Sequence, residues 1–255
     1  MDKQYVVELI MKSIRKKLSG YRQESHHMPF HHRLLGRDRI ALYSFIHSLN
    51  TNFGSSIFEP VATALAEQNA AIAVAKRSHK VSPQIGEKTQ RCIQDIMDEL
   101  SAGESLPNKM HEIDRIRKSV GASQHLNRIK HTKADIYLES KAGDRFLIDI
   151  KTAKPNKDGF KGLKRTLLEW TGAEMHTVPD VKIHSLIAIP YNPYYPKPYE
   201  RWTMKGMLDL EEELKVGDAF WDFLAGESVY DQLLDAFEIA GKKLSTELDN
   251  YFSKF

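Results

Sequence analysis

Two aspartates and one lysine near the middle of the chain have the residue types and the spacing of a metal-dependent hydrolytic site. Asp149-Ile150-Lys151 ends an apolar run, and Asp135 lies one predicted hairpin upstream. Mg²⁺ prefers oxygen ligands and commonly takes one or two carboxylates together with water and phosphate oxygens. A lysine beside such an ion can orient the attacking water and offset the charge that develops on a phosphate. This chemistry requires the three side chains to converge.

A β-hairpin is predicted to bring them together. Residues 134–139 and 145–152 have the pattern of strands, and the turn between them contains a glycine and an aspartate that suit tight-turn geometry. With a period of two, Asp135, Asp149 and Lys151 share one face of the hairpin. The predicted metal ligands are the two carboxylates and the main-chain carbonyl of Ile150. The apolar side chains of the opposite face are Ile136, Leu138, Phe146, Ile148 and Ile150.

The acid-x-Lys triplet is not rare in a chain that is 28% charged, and it occurs four times. The other three are Glu139-Ser140-Lys141, Asp180-Val181-Lys182 and Glu213-Leu214-Lys215. Only the Asp149 triplet lies inside an apolar strand with an acid one hairpin earlier. An ordinary hairpin with a solvated polar face remains the alternative interpretation.

Composition limits the class of protein. A chain of 255 residues with 41% hydrophobic content can bury one large core or a core plus a helical lobe. It has no apolar run of about 18 residues and opens on an amphipathic segment, so we expect neither membrane insertion nor export but a cytoplasmic protein. The single Cys92 excludes an internal disulfide and a cysteine-based zinc site. A net charge of +3 fits nucleic-acid binding only if the basic residues cluster.

Helical patterns fill the chain up to about residue 120 and return at its end. The third predicted helix is capped by Ser55 or Ser56 and runs to about residue 75. After the hairpin, a helix is predicted near residues 162–176 and a buried strand at 183–190. C-terminal helices are predicted near residues 207–215, 218–224 and 229–252. Strands and helices in this order predict an α/β fold, with helices packed on a mixed sheet.

Longer strings around these residues are similar to known nucleases. The two acids, the lysine, the following helix and the strand at 183–190 resemble the PD-(D/E)xK nuclease core, although Ala134 stands where that name has proline. Over about residues 30–237, the chain more closely resembles type II restriction endonucleases of the TdeIII kind. The strings that carry this resemblance are Lys130-His131-Thr132-Lys133-Ala134-Asp135, residues 149–156, residues 188–194 and Phe220-Trp221-Asp222-Phe223-Leu224.

The resemblance implies Mg²⁺-dependent, sequence-specific cleavage of double-stranded DNA by a homodimer, leaving 5′-phosphate ends. It also implies a cognate DNA methyltransferase in the same system, although not as a physical partner. The expected organisation is one nuclease domain with a helical part at 1–120, a catalytic sheet core at 121–200 and C-terminal helices at 201–255. The alternatives are a repair or recombination nuclease with the same core, and a non-catalytic DNA-binding protein.

Many enzymes with this core add an acid from an N-terminal helix, and Glu59 is the best candidate for it here. Its apolar neighbours Ile57, Phe58, Val61 and Leu65 would hold that helix against the core. The alternative role is that of a glutamate at a helix N-terminus, where the helix dipole favours an acid. Glu87 is a second choice.

Basic and amide side chains cluster on both sides of the predicted site, where they would contact phosphates and base edges. The predicted DNA-binding residues are Gln124, Asn127, Arg128, Lys130, Lys133, Lys154, Lys157, Lys161, Lys164, Arg165, Tyr191 and Asn192. A solvated polar face is the alternative for any one of them. The loop after residue 190 is either part of the DNA-binding surface or a rigid cover over the core.

Four histidines, His26, His27, His31 and His32, form a further cluster. A transition-metal site is one interpretation, but adjacent histidines without an acid or cysteine beside them more often contact solvent or phosphate. A candidate for the dimer interface is the C-terminal apolar stripe, which consists of Leu233, Leu234, Phe237, Leu244 and Leu248. Packing within its own chain is the other expected fate of that stripe.

Overall fold

The computed structural model describes residues 1–21, 28–121, 125–151, 157–200, 204 and 206–253, without the side chains of residues 51, 52, 157 and 158. Helices in the described residues are α1 (Lys3–Gly20), α2 (Pro29–Leu35), α3 (Arg37–Phe53), α4 (Glu59–Gln68), α5 (Glu87–Ala102), α6 (Lys109–Ser119), α7 (Lys157–Thr177), α8 (Asp218–Ala225) and α9 (Tyr230–Phe252). The strands are β1 (Ile72–Lys80), β2 (Gln84–Gly86), β3 (Leu126–Arg128), β4 (Lys133–Ser140), β5 (Arg145–Ile150), β6 (Ile183–Ile189) and β7 (Leu214–Val216).

A five-stranded mixed sheet forms the centre of the fold. Its order is β1-β4-β5-β6-β7, and β2 and β3 form a separate pair. The first two pairings are antiparallel, and the last two are parallel. The predicted hairpin is confirmed, with Ile136 opposite Ile148 and a turn in which Gly143 adopts a φ of +87°. A mixed sheet flanked by helices agrees with the predicted α/β class.

The predicted alternation of faces is also confirmed. Ile136, Leu138, Ile148 and Ile150 belong to one core, which they share with apolar residues of α1, α4, α8 and α9. Leu147 belongs to a second core on the other face, with α5, α6 and α7. Because apolar side chains cover both faces of the sheet, polar residues are left to its ends, where β4 begins and β5 and β6 finish.

The prediction that everything before residue 120 is helical is wrong at two strands. Residues 70–75 are rich in alanine and favour helix locally, but α4 stops at Gln68 and β1 starts at Ile72. β1 lies at the edge of the sheet, half exposed, and pairs along most of its length with β4. Pairing with a strand 60 residues away has overridden the local preference.

Two further helix predictions need correction. Neither Ser55 nor Ser56 caps a helix, because the chain passes from α3 through the π-helical segment Gly54–Phe58 directly into α4. Residues 207–215 do not form a helix: turns lead into β7, whose residues pair with β6. The acidic run there suggested a solvated helix, whereas Glu213 is fully buried.

Most of the C-terminal stripe packs inside its own chain, although Leu234 is 51% exposed. Leu233 and Leu244 are buried in the core that contains α1 and α4. None of the helices in the described part of the chain is both long and apolar enough to cross a membrane.

Candidate active site

Asp135, Asp149 and Lys151 meet at the end of the β4–β5 hairpin. One carboxylate oxygen of Asp135, Oδ2, accepts a hydrogen bond of 2.9 Å from the main-chain N–H of Ile150. The Lys151 ammonium donates to Oδ1 of Asp149 at 2.6 Å. The main-chain N–H of Lys151 donates to the carbonyl of Ala188 on β6 at 2.9 Å, which fixes the end of the triplet to the neighbouring strand. The sheet thus positions all three side chains.

The environment of Asp149 opposes its charge. The residue is 7% exposed, and burial is the main cause that raises the pKa of the carboxyl to about 6. The Lys151 ammonium lowers that pKa, while the charge of Asp135 and a hydrogen bond with its carboxyl raise it. One lysine does not balance the charge of two adjacent carboxylates, so the two acids repel each other unless a further cation binds.

Glu59 faces the same group of charges from α4. It is 5% exposed, and burial followed by repulsion from Asp135 raises the pKa of its carboxyl, whereas Lys133 and Arg77 lower it. Glu59 is the first residue of α4, but the π-helical segment runs directly into α4, so the backbone is helical on both sides of Glu59 and no free helix N-terminus lies there. Such π-helical turns often occur at functional sites. Glu59 thus interacts electrostatically with Asp135, which in turn interacts with Asp149.

The donor set suits a hard divalent cation. Mg²⁺ needs only one or two protein carboxylates because water and substrate oxygens complete its coordination. Asp135 and Asp149 are adjacent, and a cation between them would relieve the repulsion that raises the pKa of Asp149. Within the described residues, no group of three or more His, Cys, Asp or Glu side chains is close enough to form a larger metal cluster.

Exposed basic side chains lie at the same end of the sheet. Arg128, Lys130 and Lys133 precede or open β4, and Lys161 is exposed in the first turns of α7. Asn127 and Arg165 are half-buried and bond to Gln90 and Gln94 of α5. Gln124, Lys154 and the side chain of Lys157 lie outside the described residues.

Lys164 does not belong to the exposed set. Its side chain is 0% exposed and lies on the inward side of α7, where it bonds to Glu112 and, at 2.7 Å, to Glu213. Glu213 also accepts from Lys109 at 2.8 Å. A fully buried ammonium with two carboxylate partners does not reach a DNA backbone, so we correct the prediction that Lys164 contacts DNA. Sequence reasoning missed this network because its members lie on three separate elements.

The loop after β6 stands beside the site because β5 and β6 are parallel and end at the same edge. Tyr191 is 48% exposed there, and the indole of Trp221 donates to the carbonyl of Pro190 at 2.8 Å. The Asn192 amide donates to the carbonyl of Lys197 at 2.7 Å and accepts from the main chain of Tyr194 at 2.9 Å. Asn192 thus shapes the loop, and Tyr191 and Tyr195 are exposed aromatic side chains on it.

Arg77 was not anticipated. It belongs to β1, which the sequence pattern presented as helix, and its guanidinium lies close enough to lower the pKa of Glu59. Of the histidine cluster, His31 and His32 lie on α2, and His26 and His27 fall outside the described residues.

Comparison with known proteins identifies the class. The family described as type II restriction endonuclease, HinfI, matches residues 2–241. The type II restriction enzyme MjaII of Methanocaldococcus jannaschii is 28% identical over 229 residues, which cover 85% of this chain and 59% of MjaII. The type II restriction enzymes HgiCII and HgiEI, both of Herpetosiphon aurantiacus, are each 25% identical over 228 residues, covering 86% of this chain and 80% and 79% of the two relatives.

The fold and these matches place the chain in the class of type II restriction endonucleases, as predicted. Since the family match spans nearly the whole chain, the chain belongs to the HinfI family of type II restriction endonucleases. The resemblance to the TdeIII kind therefore indicated the correct class, and HinfI is the family that matches. The chain aligns with less than two thirds of the length of MjaII.

Proposed function

We propose that this protein is a Mg²⁺-dependent restriction endonuclease that hydrolyses phosphodiester bonds of double-stranded DNA at a specific sequence, leaving 5′-phosphate ends. The observation that carries the proposal is the convergence of Asp135, Asp149 and Lys151 at one end of the sheet, in a chain of the HinfI family. A repair nuclease with the same site is the second candidate. The same proposal implies a cytoplasmic enzyme and a cognate DNA methyltransferase in the same system.

Each side chain has a distinct role in the proposed mechanism. Asp135, Asp149 and the main-chain carbonyl of Ile150 would hold the Mg²⁺ ion, which supplies Lewis acidity and a bound water of lowered pKa. Lys151, now bonded to Asp149, would orient the attacking water and offset charge on the phosphate in the transition state. Glu59 would complete the acidic site from α4. It stands 5% exposed, where a carboxylate without such a role is costly.

DNA binding is assigned to the side chains around this site. Arg128, Lys130, Lys133 and Lys161 would contact phosphates, because exposed cations at the site entrance offset the repulsion between the acids and DNA. Arg165, Asn127 and Tyr191 remain proposed contacts. Gln124, Lys154 and Lys157 are retained as proposed contacts on their sequence position alone.

Digestion of long DNA tests the proposal. Purified protein, unmethylated phage-length DNA and Mg²⁺ should give discrete fragments, and EDTA should abolish them. A smear would favour a repair or nonspecific nuclease, and intact DNA accompanied by a gel shift would favour a non-catalytic binder. Sequencing the fragment ends would then read the recognition site and show whether the 5′ ends carry phosphate.

We further propose that the enzyme acts as a homodimer. One chain carries one site, and two sites related by a two-fold axis can cut both strands of a palindrome. Light scattering of the Ca²⁺-arrested complex with its DNA should give two chains per duplex. A stable complex of one chain per duplex would contradict this proposal and leave the assignment of the active site unaffected.

A further inference from the structure

An open cleft lies between α1 and α4 beside the candidate active site. It has a volume of about 770 Å³, and its floor is tied together by a hydrogen bond of 2.6 Å from the hydroxyl of Ser13 to the carbonyl of Ser56. Pro60, the residue after Glu59, lines the cleft, and so does Arg77, which faces Glu59. The cleft therefore adjoins the acidic site, and none of the three acids lines it.

The charge of the cleft is strongly positive. Its walls carry four basic side chains, Lys12, Lys16, Lys17 and Arg77, and one acidic side chain, Glu67. This excess is concentrated, because the whole chain of 255 residues has a net charge of only +3. A cleft lined by charges of one sign focuses the electrostatic potential and attracts oppositely charged ligands.

A solvated helix face is the ordinary explanation for lysines on α1, but the basic residues of this helix differ in their partners. Lys3 and Arg15 are paired with Asp235 and Glu247 of α9, so they hold α1 in place. Lys17 donates to the hydroxyl of Ser48 at 2.6 Å. In contrast, Lys12 and Lys16 are exposed, and neither has an ion-pair partner among the residues that the structure describes.

We propose that this cleft binds the sugar-phosphate backbone of DNA next to the phosphate that is cleaved. The inference rests on the proposed function, and it adds a binding surface formed by α1, α4 and β1. Lys12 and Lys16 lie one helical turn apart, about 6 Å along the axis of α1, so their ammonium groups can bind different phosphates of one strand. A row of exposed cations in an open cleft suits a polyanion better than a small molecule, whose pockets are mostly apolar.

Salt-dependent binding tests the inference. The variant Lys12→Ala/Lys16→Ala and the wild type are titrated against a short fluorescent DNA duplex in Ca²⁺ at several salt concentrations. Each phosphate contact contributes about −0.9 to the slope of log K against log salt concentration, so loss of two contacts should make the slope less negative by about 1.8. The matched control is Lys141→Ala/Lys182→Ala, two exposed lysines at the opposite end of the sheet, and it should keep the wild-type slope.

A second measurement uses the wild-type protein alone. Lysine acetylation read by mass spectrometry should fall at Lys12 and Lys16 when DNA is added, and should not change at Lys141 and Lys182. A wild-type slope in the double variant, or unprotected Lys12 and Lys16, would overturn the inference. If the wild type cleaves DNA in either case, the proposed function stands and only the cleft assignment fails. A wild type that neither binds nor cleaves DNA would refute both.

Discussion

The carboxylate of Asp135 accepts a hydrogen bond from the main-chain N–H of Ile150, the residue between Asp149 and Lys151. The first acid is thereby held by the backbone of the strand that carries the second acid and the lysine. Because β4 and β5 are registered by the pairs Ile136–Ile148 and Tyr137–Leu147, no mobile loop is needed to bring the acids together. Paired strands therefore hold both acids of the proposed site, which suits the preorganisation that electrostatic catalysis requires.

Replacing Lys151 should abolish cleavage. Lys151→Ala removes the cation bonded to Asp149, and Lys151→Glu adds a third negative charge beside the two acids, so neither variant should cut DNA. Single-turnover rates measured by fragment release provide the readout. Lys182→Ala is the control because Lys182 ends another acid-x-Lys triplet far from the site, and it should cut at the wild-type rate. An equal loss of cleavage in both variants would show that the wrong triplet was chosen.

Glu59→Gln separates a catalytic role from a structural one. The carboxylate is buried and its pKa is raised, so a neutral isostere should not destabilise the fold. If Glu59 serves the site, the cleavage rate should fall at least about tenfold, which is roughly 1.4 kcal/mol of barrier. The variant is assayed for rate and melting temperature together. An unchanged rate with a lower melting temperature would mean that Glu59 only stabilises the helix.

Asp149→Asn should stabilise the metal-free protein at alkaline pH. A folded-state pKa of about 6, above the ordinary 3.8, means that the ionised carboxylate costs stability at high pH and that protonation relieves this cost between about pH 6 and 4. The gain at pH 8 is at most about 3 kcal/mol. Denaturant unfolding in EDTA should show a larger gain at pH 8 than at pH 5. A destabilised variant at pH 8 would contradict the electrostatic account of the site.

The buried network predicts a different response at Glu213. Burial raises its pKa, but the ammonium groups of Lys109 and Lys164 outweigh burial and hold that pKa below its usual value. Glu213→Gln would leave two buried lysines facing Glu112 alone, and breaking a buried pair costs about 3–5 kcal/mol. Denaturant unfolding measures this cost. The exposed neighbour serves as the control, and Glu212→Gln should stay within about 0.5 kcal/mol of the wild type. Equal stability of the two variants would contradict the assigned network.

Much of the hairpin and its site could be predicted from the sequence because the determinants are local. The alternation of apolar residues in 134–150 fixes which side chains share a face, and the glycine-containing turn fixes the pairing. The apolar run at 183–189 indicated β6 for the same reason, since a short buried strand is recognisable by composition. Local sequence patterns were therefore enough to predict the β4–β5 hairpin and β6.

The same reasoning failed where contacts between distant parts of the sequence determine the structure. β1 has an alanine-rich sequence that favours helix, and only its pairing with β4 makes it a strand, so Arg77 was missed as a neighbour of Glu59. Lys164 was read as an exposed basic residue because nothing in its local sequence shows that Glu112 and Glu213 surround it. Both errors concern partners that lie tens of residues away.

We propose that Asp135 and Asp149 are required for DNA cleavage but not for DNA binding. The most direct test compares Asp135→Ala and Asp149→Ala with the wild type on one DNA, with cleavage measured in Mg²⁺ and gel shifts measured in Ca²⁺. We predict that both variants lose cleavage and keep sequence-specific binding, since the phosphate contacts remain and a repulsive carboxylate is removed. Retention of more than a few per cent of wild-type cleavage by either folded variant would contradict the assignment of the active site.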